Sequence, residues 1–448
     1  MSHHHLLKSP LAVRLYERCA KELPIIDYHN HLSIQDIVSD RSFSNLTQLW
    51  IAVDPYKHRA MRILGVPEHF ITGQASDYEK FEKWYGCLPR LAGNPLYDWS
   101  VMEFETLFAM TLAPFRKPAQ EVWQEANEKL QALTASAILE KFHIEYCAPC
   151  ATICDDLAPF AALKGVYPSL RGDDMAAPTA EFAERLSAAA GMDVRDLSDY
   201  EAAMERRIGL FRESGCRFAD HALDAGFDYL PDDGLNEARF QRMLARETLS
   251  AGDKLALTSR LLRTAGRLYA RHGLAMQLHI GAKRTTSSRL RSIAGPAGGY
   301  AAIGSGVNVA ALTAFLDDVE KGGRLPKTIL FTLNPADNAI MANLSGSYSC
   351  DSVESVVCQG PAWWWCDHAQ GMREMLEHLS VYSVLSTFIG MTTDSRSLLS
   401  FVRHDYFRRI LCQWIAEKVD ADVLPDHMDI LSDLIRRMCY ENAKNCIV

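Results

Sequence analysis

The first strand-like run of the sequence ends in Asp27-Tyr28-His29-Asn30-His31. Side chains alternate along an extended chain, so His29 and His31 project to one side and offer imidazole nitrogens to a single cation. Late in the chain, Phe388-Ile389-Gly390-Met391 runs into Thr392-Thr393-Asp394-Ser395-Arg396-Ser397. Asp394 is a third potential ligand, giving a His₂Asp set with an open position for water or substrate. Arg396 carries a planar fork matched to a carboxylate. Plainer readings stand beside these: a polar strand end, a helix cap for Asp394 and a surface charge for Arg396. Comparable groups recur at other strand ends. They are Arg171 in Pro168-Ser169-Leu170-Arg171-Gly172-Asp173, Asp220 and His221 in Cys216-Arg217-Phe218-Ala219-Asp220-His221, and His279 and Arg284 in Gln277-Leu278-His279-Ile280-Gly281-Ala282-Lys283-Arg284. Gathered around one mouth, these cations and carboxylates suit a small polar anion better than a lipid or a nucleotide.

Bringing those groups together requires strands whose C-terminal ends share a rim. Apolar runs rich in branched residues recur at Leu23–Tyr28, Ile144–Ala148, Gly165–Leu170, Cys216–Ala219, Ala275–Ile280, Thr328–Leu333, Val356–Cys358 and Thr387–Met391. Amphipathic helices lie between several of them: Met204, Ile208 and Phe211 share a face, as do Leu312, Phe315, Leu316 and Val319, and Met372, Met375, Leu376 and Leu379. Another helix, through Leu255, Leu261, Leu262, Ala265 and Leu268, stops at Gly273, a C′ glycine. The alternation predicts an α/β fold, a distorted (β/α)₈ TIM-type barrel, with Val356–Cys358 the weakest strand. Residues 36–140 are rich in Trp, Tyr, Leu and Glu, with helical stretches and no strand. They predict a helical lobe inserted after the first strand, within a single domain spanning residues 1–448.

Composition narrows the function classes. The 448 residues carry 47 Lys plus Arg against 56 Asp plus Glu, a formal charge of −9, with 48% hydrophobic and 23% charged residues. That balance supports a sizeable core and excludes wholesale disorder. The acidic surplus argues against nucleic acid as a partner, and no apolar run approaches the roughly 18 residues of a membrane span. The N-terminal Met1-Ser2-His3-His4-His5 has neither the charged nor the apolar region of a secretory signal, and its short His run is given no function. Twelve cysteines are too sparse for a disulfide scaffold. The cluster Cys147, Cys150 and Cys154 reads as reduced core cysteines rather than a zinc knuckle, and the expected compartment is the cytoplasm. Gly304-Ser305-Gly306 lacks the third glycine of a phosphate turn. Trp363-Trp364-Trp365 reads as rim packing, with one indole available to floor a sugar site.

Taken together, these segments resemble the uronate isomerases, the glucuronate/galacturonate isomerase branch of the amidohydrolase superfamily. The similarity runs from about Pro24 to the C-terminus. It is carried by Tyr28-His29-Asn30-His31-Leu32, Asp54-Pro55-Tyr56-Lys57-His58-Arg59-Ala60-Met61-Arg62, Gly215 to His221, Gln277 to Ala282, Asn334-Pro335-Ala336-Asp337-Asn338, and Gly390 to Ser397 continuing to Arg403-His404-Asp405-Tyr406-Phe407-Arg408-Arg409. The resemblance implies one divalent metal ion, zinc being the first expectation, held by His29, His31 and Asp394. It implies that Tyr56, Arg171, Asp220, His279, Arg284, Trp364 and Arg396 face a small-molecule sugar acid. The implied reaction moves a proton between C2 and C1 of a hexuronate, interconverting aldose and ketose, with Asp394 or Tyr56 as the base and His279 and Arg396 also in the catalytic set. A homo-oligomer is compatible with the resemblance.

The sequence departs from the family pattern at several places. Pro55 stands where His is usual, and Asn30 where Cys is common. Thr285-Thr286-Ser287-Ser288 replaces an Asn-rich stretch, and Cys366-Asp367-His368 replaces Asn-Asp-Gln. These edits predict either a different sugar acid or a different reaction. A metal-dependent hydrolase or lyase on the same barrel is therefore the alternative, and a sugar-acid sensor without turnover the third reading.

Overall fold

The computed structural model describes residues 5–447; the first four residues, which include most of the N-terminal histidine run, and residue 448 lie outside it. Among the described residues nine strands occur in chain order: β1 (Ile25–Asn30), β2 (Ile144–Thr152), β3 (Ser169–Arg171), β4 (Phe218–Leu223), β5 (Ala275–Ile280), β6 (Ala282–Lys283), β7 (Ala302–Ile303), β8 (Thr328–Thr332) and β9 (Val357–Gln359). Seven of them form one parallel sheet in the order β1-β2-β3-β4-β5-β8-β9, while β6 and β7 make a separate antiparallel pair. All residues of β1, β5 and β8 are buried, as expected of parallel strands covered on both faces. Parallel register sets the rim: Arg171 is level with Asp220, and Ala222 with His279.

The helical patterns fold as read. Met204, Ile208 and Phe211 are fully buried on helix Leu197–Glu213. The Leu312 and Met372 stripes face the core from helices Val309–Glu320 and Ala369–Tyr382. Gly273 closes helix Ala251–His272 with φ 67°, the left-handed cap a glycine takes without steric cost. Between β1 and β2 the described chain contains helices and no strand, from Ile34–Ser39 through Ala135–Lys141. Trp50, Trp84, Phe81 and Phe104 form the buried centre of this segment.

The eighth strand predicted at Thr387–Met391 does not form. Leu385–Thr387 is a 3₁₀ turn, and Gly390 adopts φ 98° with the Met438 carbonyl 2.8 Å from where a Cβ would stand. The chain therefore bends where a strand would run straight. It still lines β1, through side chains and two isolated backbone bonds. Asp394 N donates to His29 O at 3.0 Å, and His31 N to Ser395 O at 2.8 Å. Fully buried Asp27 accepts from Thr393 N and Oγ1, from Thr392 Oγ1 and from His404 Nε2. That carboxylate does locally what a ladder of backbone bonds would do along a strand. The first strand also runs two residues further than predicted and β2 four further, so that His29 and Cys150 lie within strands.

Candidate metal centre and substrate pocket

β1 carries His29 and His31 to the rim on one side of the strand. Their Nε2 atoms lie 3.2 and 3.0 Å from the same oxygen, Asp394 Oδ1. That oxygen is buried and accepts no hydrogen bond among the described residues. Two ligands of a tetrahedral ion bound at 2.0–2.1 Å stand roughly 3.3 Å apart, so convergence at this spacing without hydrogen-bond geometry fits a divalent cation. The other carboxylate oxygen, Oδ2, is held by the indole N–H groups of Trp363 at 2.5 Å and Trp364 at 2.6 Å. Burial opposes charge on Asp394, but the two imidazoles outweigh it and hold the carboxyl well below the usual range. Burial likewise opposes charge on His29, and Cys150 and Asp220 outweigh it.

Next to His29 sit Asp220 from β4 and His279 from β5, both almost fully buried. Asp220 Oδ2 accepts from Arg171 at 3.2 Å, and His279 Nδ1 lies 4.0 Å from the same oxygen. His279 stacks on Phe331 at 4.4 Å, and its Nε2 has no hydrogen-bond partner among the described residues. Burial and the nearby His29 push this imidazole well below its ordinary pKa, leaving a neutral ring with a free nitrogen. Arg171 is further paired with Asp173 at 2.7 Å, and Arg284 with Asp224 at 2.7 Å while its guanidinium covers the Trp364 ring at 5.1 Å. Exposed Arg396 makes no ion pair or hydrogen bond among the described residues. The guanidinium fork that the sequence offers to a carboxylate is thus uncommitted at Arg396, whereas at Arg171 and Arg284 it already holds protein carboxylates.

A cavity of about 820 Å³ opens beside these groups, lined by His31, Tyr56, Arg171, Arg284, Trp364, Asp394 and Arg396 among others. His29, Asp220 and His279, expected at the substrate or the metal, are not part of its lining. Tyr56 reaches it from helix Pro55–Ile63, whose N-cap Asp54 accepts from Tyr56 N and Lys57 N. Pro55 occupies the first helical position, where a missing N–H is no loss to the backbone. Burial pushes the Tyr56 phenol well above its ordinary pKa, against the opposing charge of Arg403.

Three residues of this centre escaped the sequence reading. Cys150, taken there as a core cysteine, has Sγ 3.7 Å from His29 Nδ1 and 3.6 Å from Asp220 Oδ1. With His29 and His31 it offers donor atoms within 4.8 Å of one another, as do His29, Asp220 and His279. Trp363 is a carboxylate donor rather than simple rim packing, and Asp27 is the staple behind the ligands. Only Asp27 left a sequence signal, since it alternates with His29 and His31 on one side of the strand.

A family model for glucuronate isomerase matches residues 1–447. The chain belongs to the glucuronate isomerase family. The uronate isomerase of Salmonella arizonae is 38% identical over 461 residues, covering 99% of this chain and 98% of the relative. That of Bacillus licheniformis is 37% identical over 452 residues, covering 98% and 96%. The solved uronate isomerase of Thermotoga maritima superposes with a TM-score of 0.91 at 27% identity, over 100% of this chain and 99% of that one. Membership of the glucuronate isomerase family sharpens what the departures mean. Pro55 lines the cavity. Asn30 instead bonds Asp27 at 2.8 Å, Ser287 caps helix Ser288–Ala294, and His368 caps helix Ala369–Tyr382. Within this chain, then, most of the edits serve local structure and Pro55 lies in the pocket wall.

Proposed function

We propose that the protein isomerises a hexuronate between its aldose and ketose forms at a mononuclear metal centre. The observation that carries this reading is the convergence of His29 and His31 on Asp394 beside a cavity shared by Tyr56 and Arg396, in a chain that matches the glucuronate isomerase family over nearly its whole length. His29, His31 and Asp394 would hold the ion. Imidazole and carboxylate donors suit zinc, which when bound polarises a sugar oxygen.

The chain's own residues divide the remaining work. Arg396 binds the substrate carboxylate at the mouth, because its fork has no protein partner to displace. Arg284 over Trp364 and Arg171 beside Asp220 build the polar wall against which the sugar hydroxyls lie. Neutral His279, buried behind the cavity lining, keeps an unpartnered Nε2 available beside His29. Tyr56, protonated at neutral pH, gives a proton to the sugar, while ionised Asp394 is the acceptor at the C2 side. The reading extends to the whole chain as one unit in which the helical segment of residues 36–140 supplies Tyr56. A cytoplasmic setting is in keeping with twelve cysteines that are all free.

Incubation with a panel of uronates in deuterated water tests the reaction. A ketose product carrying deuterium at C1 is expected. A cleaved product would instead favour the hydrolase or lyase reading. No helix among the described residues is long and apolar enough to cross a membrane.

A further inference from the structure

We propose that Arg403 is a positioning residue that sets the Tyr56 phenol against the substrate and acts on proton transfer through it; the inference rests on the isomerase reading above. Arg403 lies in the Arg403-His404-Asp405-Tyr406 segment, conspicuous in the sequence yet without a part in the site as described so far. It opens helix Val402–Asp420, and it is only 1% exposed.

A guanidinium taken out of water is costly unless partners surround it, so its partners identify its work. One nitrogen, Nη1, donates to Asp367 Oδ2 at 3.2 Å and to the Thr393 carbonyl at 3.2 Å. Its central carbon stands 4.7 Å from the Tyr56 ring and 4.1 Å from the Trp99 ring. Four segments therefore meet on one cation: the helix that carries Tyr56, the helix Pro95–Phe108 that carries Trp99, the turn after the tryptophans, and the peptide immediately before Asp394. A cation on an aromatic face fixes the ring's plane, since the attraction is directional. Its positive charge also favours the phenolate, opposing the burial that makes the phenol hard to ionise. Asp54 and Lys57, an ion pair at 2.6 Å, fix the backbone of the same helix turn from the other side. The consequence is that one side chain, Arg403, ties the Tyr56 ring to the peptide that precedes Asp394, though the two residues lie on segments far apart in the sequence.

A double-mutant cycle distinguishes this from mere packing. Arg403→Lys keeps a cation without the planar fork, and Arg403→Gln removes the charge. Each is expected to lower kcat at least about tenfold with KM changed less than about threefold, the pattern of a loss felt in the transition state. In a Tyr56→Phe background the same substitutions should cost less than about threefold, because coupled residues are non-additive. Deuterium wash-in at C1 reads the residual turnover of the slow variants, and a C2-deuterated uronate should show a larger isotope effect in Arg403→Gln than in the parent. Losses that multiply in the Tyr56→Phe background would overturn the proposal. If the Arg403 variants fail to fold by circular dichroism, Asp367→Asn takes their place in the cycle. It removes one anchor of the cation, and its kcat loss should likewise vanish with Phe at position 56; a persistent loss overturns the proposal. Full activity of Tyr56→Phe alone would be a separate failure, that of the role given to Tyr56 in the isomerase reading.

Discussion

Trp364 donates its indole N–H to Asp394 Oδ2 at 2.6 Å, and both residues hold left-handed backbone, at φ 46° and 45°. Neither is glycine, so each conformation costs on the order of 1–3 kcal/mol and persists only where the surroundings over-determine it. The surroundings do so here. Trp363 donates to the same oxygen, and Asp394 N donates to His29 O at 3.0 Å. With Oδ2 clamped by two indoles, Oδ1 is left facing His29 and His31.

Replacing Trp364 by Phe keeps the ring and removes one donor to this carboxylate. A hydrogen bond to a charged group is worth about 1.5–3 kcal/mol, so kcat/KM should fall about 10- to 150-fold. Metal affinity measured by chelator competition should weaken as well. An unchanged kcat/KM and unchanged affinity would mean that Trp363 alone suffices to orient Asp394.

Protein purified without chelator is expected to carry about one equivalent of divalent metal per chain, as a single three-ligand site requires. Elemental analysis of His29→Ala should show that metal largely lost. Retention at the parental level would place the ion away from this centre, because the groupings of His29 and His31 with Cys150 and of His29 with Asp220 and His279 also depend on His29.

Arg396→Lys should lower kcat/KM by more than about tenfold, since an ammonium cannot reproduce the two parallel bonds of a guanidinium. Arg171→Lys offers an internal comparison. Its partners Asp220 and Asp173 are part of the protein, so its loss should also lower thermal stability, whereas Arg396→Lys should not. Equal kcat/KM for Arg396→Lys and the parent would remove Arg396 from the carboxylate site.

Burial pushes the Asp367 carboxyl up to about 7, with Arg403 opposing. An acid whose folded pKa lies above its unfolded value binds its proton more tightly in the native state. Its contribution to stability is therefore present below about pH 4 and is lost as pH rises towards 7, where the group must ionise while buried. Asp367→Asn does not undergo that loss. Relative to the parent, the variant should gain stability between pH 4 and pH 8, by an amount on the order of a few kcal/mol. Denaturant titrations at the two pH values check the sign; a relative loss at pH 8 would show that Asp367 is ionised in the native state throughout.

Pro55 should mark altered substrate preference. It lines the cavity one residue before Tyr56, where the sequence resemblance leads one to expect His. The substitution removes a donor for one sugar hydroxyl, and an unpaired buried partner costs about 1–3 kcal/mol. Plain glucuronate should turn over weakly, and an epimeric or modified acid better. A kcat/KM for glucuronate within the ordinary range of about 10⁴–10⁸ M⁻¹s⁻¹ would refute this.

The sequence by itself determined the α/β alternation, the helix faces and the chemistry at the strand ends. Burial patterns of period 3.6 and 2 are written locally, as Met204-Ile208-Phe211 and the His29/His31 alternation show. It also carried the family, because whole segments such as Gly390 to Arg396 are contiguous. Only the tertiary structure decided which of those groups are free to act. Arg171, Arg284 and Arg396 look alike in sequence, and the first two prove to be paired by Asp220 and Asp224, which reach them from another segment. Cys150 looked like any core cysteine until β2 brought it beside His29. The eighth strand failed for a related reason: Gly390 bends the chain, and Asp27, hundreds of residues away, takes over its hydrogen bonds. Such pairings depend on which side chains the folded chain sets within about 3 Å of each other, the reach of a hydrogen bond. No local pattern records that distance.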